Sequence, residues 1–378
     1  MKKRISIWGV IVLCVLCAGA ASAGTLAAVL RLEKSRTTAL DEKIAGVQSI
    51  ISGSYVGETD WNSVADGAAE GMIDALGDRW SYYMTAEEYE SYKQFSTNTA
   101  SGIGVTVSVD KDSGGFLIES VVEDSPAEGA GARAGQIIIS AAGEDVRGLE
   151  TTELRRIIAA QEGEFPLTVV NPDGSEETLT VSTDVIYSSP VKYTLLDGGV
   201  GYVRIKNFEL GAAENAEKAI EALIAAGADS LIFDVRSNPG GRLDELIELL
   251  DYILPEGDIF VSIGRSGDEK VYTSDADCIS LPMAALINAE SYSAAEFFAA
   301  ALQEYHAAVI VGEASTGKGR SQVTYELPDG SAVHISTRRY LTPSRADLSE
   351  TGGLVPDVEI AMSPDSDTQL EEAAKYLS

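Results

Sequence analysis

Between Gly201 and Val311 the chain alternates strand-like and helix-like segments, and no other feature constrains its fold as much. Apolar, β-branched runs occupy Gly201–Phe208, Ser230–Val235, Ile259–Ile263, Met283–Ile287 and Ala308–Val311. Helical stripes occupy Ala212–Ala226, Arg242–Leu254 and Ser293–Tyr305. Strand and helix in turn predict an α/β architecture, a parallel sheet covered by helices. Ligands of such sheets bind beyond the carboxyl ends of the strands. Three loops in that position therefore carry the functional interest: Arg236–Gly241, Asn288–Ser293 and Gly312–Gly319.

Elsewhere the texture differs. Ala39–Tyr55 sets Leu40, Ile44, Val47, Ile50 and Ile51 on one helical stripe, and Asp60–Leu76 repeats the pattern. A third short helix is expected around Thr85–Lys93. From Gly102 short alternating runs take over, Val105–Val109, Phe116–Ile118 and Gln136–Ile139. A helix at Thr152–Gln161 follows, then a hairpin turning at Asn171-Pro172-Asp173-Gly174. Beyond Val311 the chain is β again, over Val323–Leu327 and Val333–Thr337. The expected division is 1–36 as a membrane anchor or signal segment, 37–97 as a helical module, 98–183 as a compact β module, 184–362 as the α/β core and 363–378 as a C-terminal helix.

Lys2, Lys3 and Arg4 precede an uncharged stretch from Ile5 to Leu30, 26 residues long, where roughly 20 suffice to span a bilayer. Ala21-Ser22-Ala23 has the form of a signal cleavage site, but the apolar run continues past it, so a retained single-pass anchor is favoured over a secreted form. The basic cluster places the remainder outside the cytoplasm. Only Cys278 lies beyond that segment, so no internal disulfide can staple the folded part. With a net charge of −31 the chain repels phosphate backbones, which argues against nucleic acid as a partner. Two histidines, His306 and His334, and three cysteines do not have zinc-site spacing, while carboxylate-only Mg or Ca sites stay open. A histidine-based triad is equally hard to assemble.

Each of the three loops has a bland and a chemical reading. Asn238-Pro239-Gly240-Gly241 is a tight strand-to-helix connection, or a place where amides approach a developing oxyanion at a helix start. Ser293-Ala294-Ala295-Glu296 has the form of a capping box, yet a hydroxyl at a helix N-terminus beyond a strand is also where a nucleophile sits, with Ser291 as its nearest rival. Gly312 to Gly319 nearly spells a phosphate loop, but Gly319 stands where a Ser or Thr is required and a strand follows where a helix is needed, so nucleotide binding is a remote alternative. Lys318 is either a solvated turn residue or, if buried, an amine neutral enough to take a proton from a serine. The shortage of histidine makes a Ser-Lys pair the most economical hydrolase this chain can build.

Several ordered stretches resemble the C-terminal processing, or tail-specific, serine peptidases. Gly77-Asp78-Arg79-Trp80-Ser81-Tyr82-Tyr83-Met84 is similar to the element that precedes their PDZ domain. Gly102-Ile103-Gly104-Val105 and Ser125-Pro126-Ala127 through Gly135 resemble parts of that domain, with Gln136 where the family has Asp. Phe233 through Gly241, Val311-Gly312-Glu313, Gly317-Lys318-Gly319, Tyr340-Leu341-Thr342-Pro343 and Val355-Pro356-Asp357 match the catalytic core. The resemblance implies a ClpP/crotonase-like core with an inserted PDZ domain. By position it makes Ser293 the nucleophile, Lys318 the general base, Gln322 the residue that orients the amine and Glu296 a supporting acid. It gives the oxyanion site to the Ala294 amide with Gly240 or Gly241, and binding of a peptide carboxylate to Gly102–Val105. It implies no metal or organic cofactor, protein C-terminal tails as substrates, and a homodimer formed by terminal helices such as Leu370–Leu377. Tyr292 and Glu290 depart from the family's Gly-Ser-Ala-Ser pattern beside the nucleophile. A catalytically inactive PDZ peptide-binding scaffold is the alternative.

Overall fold

The structure, a computed structural model, describes residues 39–363 and 366–377. The expected membrane segment lies outside them; among the described residues no helix is long and apolar enough to cross a membrane. Two compact units divide between Gly71 and Met72. In the first, residues 39–54 are helical and a second helix runs from Trp61 into the next unit, ending at Asp74. Asp60 starts it, its carboxylate accepting from Asn62 N and Ser63 Oγ. The stripe of Leu40, Ile44, Val47 and Ile50 is exposed.

The second unit is organised by a six-stranded sheet in the order Val191–Leu195, Val200–Ile205, Ser230–Asp234, Met283–Ile287, Ala308–Gly312 and Val358–Glu359. All pairs are parallel except the first. Ser230–Asp234 and Met283–Ile287 are buried along their whole length, as central parallel strands must be. Helices Ala212–Ala225, Leu243–Ile253 and Ala294–Glu304 close over one face, where Phe208, Phe233 and Phe298 meet at 5.4–5.6 Å between rings. The other face, with Ile232, Ala284, Leu286 and Val311, is covered by helix Thr368–Lys375 through Leu370 and Ala373. The C-terminal helix read as a dimerising element thus directs its apolar face at its own sheet.

One segment goes elsewhere than expected. Ile259–Ile263 does not join the parallel sheet: strand Gly257–Gly264 pairs antiparallel with Glu269–Ser274 and with Ala332–Leu341 in a second sheet. Arg320–Glu326 and Tyr82–Met84 pair with Ala332–Leu341 as well. An apolar run announces a buried strand but not which neighbour it will choose. Phe260 locks this sheet onto helix Ala294–Glu304, its ring 5.2 Å from Phe297 and 4.6 Å from Tyr340.

Between Gly102 and Asp184 the chain builds a β-domain. Strands Val105–Val109, Phe116–Val121, Ile137–Ala141, Glu164–Val170 and Glu176–Ser182 are packed through Phe116, Ile118, Ile138, Leu167 and Val169 against helix Thr151–Ala159. The entering and leaving segments, Thr99–Gly102 and Asp184–Tyr187, pair as a two-stranded antiparallel ribbon. Val105–Val109 is an edge strand, with one side left unpaired.

Candidate active site

The loop after Met283–Ile287 turns sharply into helix Ala294–Glu304, and Ser293 sits at the corner with φ 59° and ψ −126°. A non-glycine residue there is strained by about 1–3 kcal/mol and persists only where its surroundings over-determine it. They do so from two sides. A Cβ on Gly240 would lie 2.7 Å from Ser293 Cβ and 2.8 Å from Ala294 N, so only glycine lets the Asn238–Gly241 loop approach this closely. Glu296 Oε2 accepts from Ser293 N at 2.9 Å, the carboxylate side of the expected capping box. Ser291 has a different job: fully buried, its hydroxyl donates to Val235 O at 2.8 Å and accepts from Asn288 N at 3.0 Å, tying the two loops together.

Around Ser293 the amides sort themselves. Gly240 N donates to Asn238 Oδ1 at 2.8 Å. Gly241 N carries none of the hydrogen bonds among the described residues, and Ala294 N, first in its helix, has no intrahelical acceptor. The loop is held from behind by Phe208, whose N donates to Gly240 O at 2.7 Å and whose O accepts from Arg242 N at 2.8 Å.

Glu296 does far more than cap. It is completely buried and accepts four hydrogen bonds: Oε1 from Ser315 Oγ at 2.5 Å and Gly317 N at 2.6 Å, Oε2 from Ser293 N and Lys318 N, each at 2.9 Å. A single oxygen atom therefore fixes the backbones of residues 293 and 318 beside each other. The same bonds occupy the Gly317 and Lys318 amides, which a phosphate would need, and strand Arg320–Glu326 follows where a phosphate loop needs a helix. The nucleotide reading fails on both counts.

The Lys318 side chain extends into an aromatic corner. Nζ lies 4.7 Å from the Trp80 ring and 5.6 Å from the Tyr292 ring, and the two rings stand 5.7 Å apart. Burial pulls the amine down to about 8, against the opposing pull of Glu296, Asp78 and Glu209; Arg79 acts with burial. No hydrogen bond joins Nζ to Ser293 Oγ. Gln322 Nε2 donates to Ser336 Oγ at 2.9 Å and Arg320 O at 3.2 Å, and makes no bond to the lysine. The structure thus gathers Ser293, Ala294, Glu296, Gly240, Gly241 and Lys318, while the lysine amine and Gln322 rest on other partners.

Two participants escape the sequence reading. Trp80 lies in a stretch quoted above only as a resemblance, and nothing in its spacing points at a lysine so far along the chain. Glu209, in the loop beside Phe208, is buried and pushed up to about 7, burial outweighing Arg242 and Lys318. A lone Glu after an aromatic carries no signal of its own. The resemblance's peptide loop has structure too: Gly104 has φ 85° and a Cβ there would collide with Ser125 at 2.2 Å, while Ala127 N donates to Ile103 O at 2.9 Å.

Comparison with known proteins now adds to this geometry. The model of peptidase family S41 matches residues 199–360, that of the activating protease CtpB N-terminal domain residues 20–88, and that of the PDZ domain residues 117–171. The carboxy-terminal processing protease CtpA of Bacillus subtilis (strain 168) is 30% identical over 321 residues, covering 84% of this chain and 68% of that protein. The chain belongs to peptidase family S41. It is accordingly a serine peptidase of the carboxy-terminal processing group, with a PDZ domain ahead of its catalytic core. A CtpA-like serine protease of Staphylococcus aureus (strain COL) is 27% identical over 84% of this chain; the chain spans 64% of that relative's length. Among solved structures, one described as an S41 protease from Bacteroides fragilis NCTC 9343 shares the fold, with TM-score 0.54, 16% identity, and coverage of 85% of this chain and 92% of that one.

Proposed function

We propose that this S41 peptidase cleaves the C-terminal tails of proteins with a Ser293–Lys318 dyad, after its PDZ domain has bound the tail. The observation that carries the reading is the shared Glu296 Oε2, which holds the amides of residues 293 and 318 side by side in a buried setting that favours a neutral amine. In the reaction the amine leaves the Trp80–Tyr292 corner and takes the Ser293 Oγ proton as Oγ attacks the scissile carbonyl. The Ala294 and Gly241 N–H groups receive the oxyanion. Lys318 then passes its proton to the leaving amine; the same lysine next deprotonates water, which attacks the acyl carbonyl, and returns that proton to Ser293 Oγ as the acid product leaves. Gln322, turning its Oε1 toward Lys318, accepts a hydrogen bond from the amine and orients it. No metal or organic cofactor enters this scheme.

In the PDZ domain the edge strand Val105–Val109 and the neighbouring helix Thr151–Ala159 frame a groove for an extended peptide, with Gly102-Ile103-Gly104-Val105 supplying amides to its terminal carboxylate. Residues Ile5–Leu30 would hold the enzyme to the membrane with the catalytic part outside the cytoplasm. The parked lysine favours one rival, a peptide-binding scaffold without turnover. Cleavage of a peptide with an apolar C-terminus decides between them. The dyad predicts turnover by wild type, loss of at least about a thousandfold in Ser293→Ala and Lys318→Ala, and slower turnover once the terminus is amidated. Undiminished cleavage by both variants removes the dyad, and equal cleavage of both termini removes carboxylate recognition.

A further inference from the structure

In a chain with 59 acidic side chains against 28 basic ones, four arginines converge on one cavity. It measures about 330 Å³ and is lined by Arg265, Arg320, Arg338 and Arg339 with Ser336 and Thr337. The site lies on the second sheet, where Arg320 and Arg339 are direct cross-strand partners and Ile263 faces Arg339 from the other side. Like charges placed directly opposite each other destabilise an antiparallel pair. This arrangement persists in a protein with carboxylates to spare, so stability alone does not explain it.

The partners of these side chains sharpen the point. Arg338 is engaged, with Ser262 and with Asp268 at 2.9 Å. Arg320 has only a 3.6 Å approach to Asp78. Arg265, in the turn between Gly257–Gly264 and Glu269–Ser274, and Arg339 make no side-chain hydrogen bond or ion pair among the described residues. Thr337 is skipped where the register shifts between Ser321 and Gln322. Its Oγ1 is buried with no partner, and an unsatisfied buried hydroxyl calls for an explanation. Two free guanidinium groups thus border the same space.

We propose that this cavity is an anion subsite that binds a carboxylate side chain of the peptide substrate, Glu or Asp, near the scissile bond. The assignment rests on the peptidase reading and adds a substrate preference to it. The cavity wall continues from the catalytic loop: Arg320 is two residues past Lys318, and Ser336 accepts the Gln322 hydrogen bond. Arg265 and Arg339 offer planar paired donors that suit a carboxylate. The same chemistry would accept a free inorganic anion, so the test separates the two sources.

The probes are two fluorescent peptides with the same apolar C-terminus, one carrying three Glu upstream and the other three Gln in their place. Binding is measured by anisotropy to the full chain bearing Ser293→Ala, so that the result does not depend on turnover. The expected result is about tenfold tighter binding of the Glu peptide at low salt, a preference that added salt erodes. The double substitution Arg265→Gln, Arg339→Gln removes the preference and leaves the Gln peptide's affinity unchanged. Both side chains are exposed, so the fold is retained. Equal affinity for the two peptides, or a preference that survives the double substitution, overturns the proposal. So does stabilisation by inorganic phosphate alone without discrimination between peptides, which would make the site one for a free anion. If wild type cleaves neither peptide while the binding preference stands, the peptidase reading fails and the subsite does not.

Discussion

Ser293 and Lys318 share one partner, Glu296, and differ in how finished they are. The serine already occupies its strained corner; the amine waits against Trp80 and Tyr292. Because burial depresses Lys318 to about 8, the rate of cleavage should rise with pH through an acid limb near 8 and level off above it, read as kcat/KM against pH. The linkage has a definite sign. The unfolded lysine binds its proton up to its ordinary 10.5 and the folded one only to about 8, so this residue makes stability rise with pH between those values. Lys318→Met should flatten that rise in denaturant titrations. Glu296→Gln keeps one acceptor oxygen and turns an NH2 group toward two donors, so it should cost about 2–4 kcal/mol of stability together with most activity, since one of the two donor pairs that hold these loops loses its acceptor. Sequence spacing could name Ser293 and Lys318 as candidates but could not choose between Ser291 and Ser293. What decides is that one hydroxyl is spent on Val235 and Asn288 while the other borders Gly240, a contact between loops more than fifty positions apart.

Among elements, the parallel strands and their helices were readable because each carries its own apolar pattern. The second sheet was not, since its five strands come from three separate stretches of chain. That sheet and the loops beyond the parallel strands together position the chemistry. A chain of hydrogen bonds runs from the ribbon at the foot of the PDZ domain toward the Gly240 loop. Asn98, at the foot of the ribbon, accepts from Ser188 N, donates to Leu210 O at 3.0 Å and accepts from Asn207 Nδ2 at 2.9 Å, and Phe208 between those partners bonds the Gly240 loop on both sides. Asn98→Ala should therefore lower kcat several-fold while peptide affinity for the PDZ domain is kept; affinity that falls with unchanged kcat would contradict this coupling. Gly240→Ala, with φ 86° and a Cβ 2.7 Å from Ser293 Cβ, should abolish turnover and cost about 1–3 kcal/mol of stability.

At the scale of the whole molecule, one buried ion network joins segments far apart in the chain. Asp234, fully buried at the end of its strand, is bonded by Tyr202, Arg204 and Arg236, and Arg236 reaches on to Asp367 at 2.7 Å and Gln369 at 3.1 Å. The C-terminal helix is thereby tied to the loop that carries Gly240 and Gly241. These arginines keep Asp234 below the usual carboxylate range. Its contribution is present at neutral pH and lost as acid protonates it. Arg236→Ala, which leaves that carboxylate buried and short of partners, should cost about 3–5 kcal/mol in denaturant unfolding. The most direct test of the account is fluorophosphonate labelling of the intact protein, with the adduct mapped by mass spectrometry and followed against pH. The dyad predicts labelling of Ser293, half-maximal near pH 8, and none in Lys318→Ala. Labelling at another serine, or equal labelling of Ser293 with and without Lys318, would contradict it.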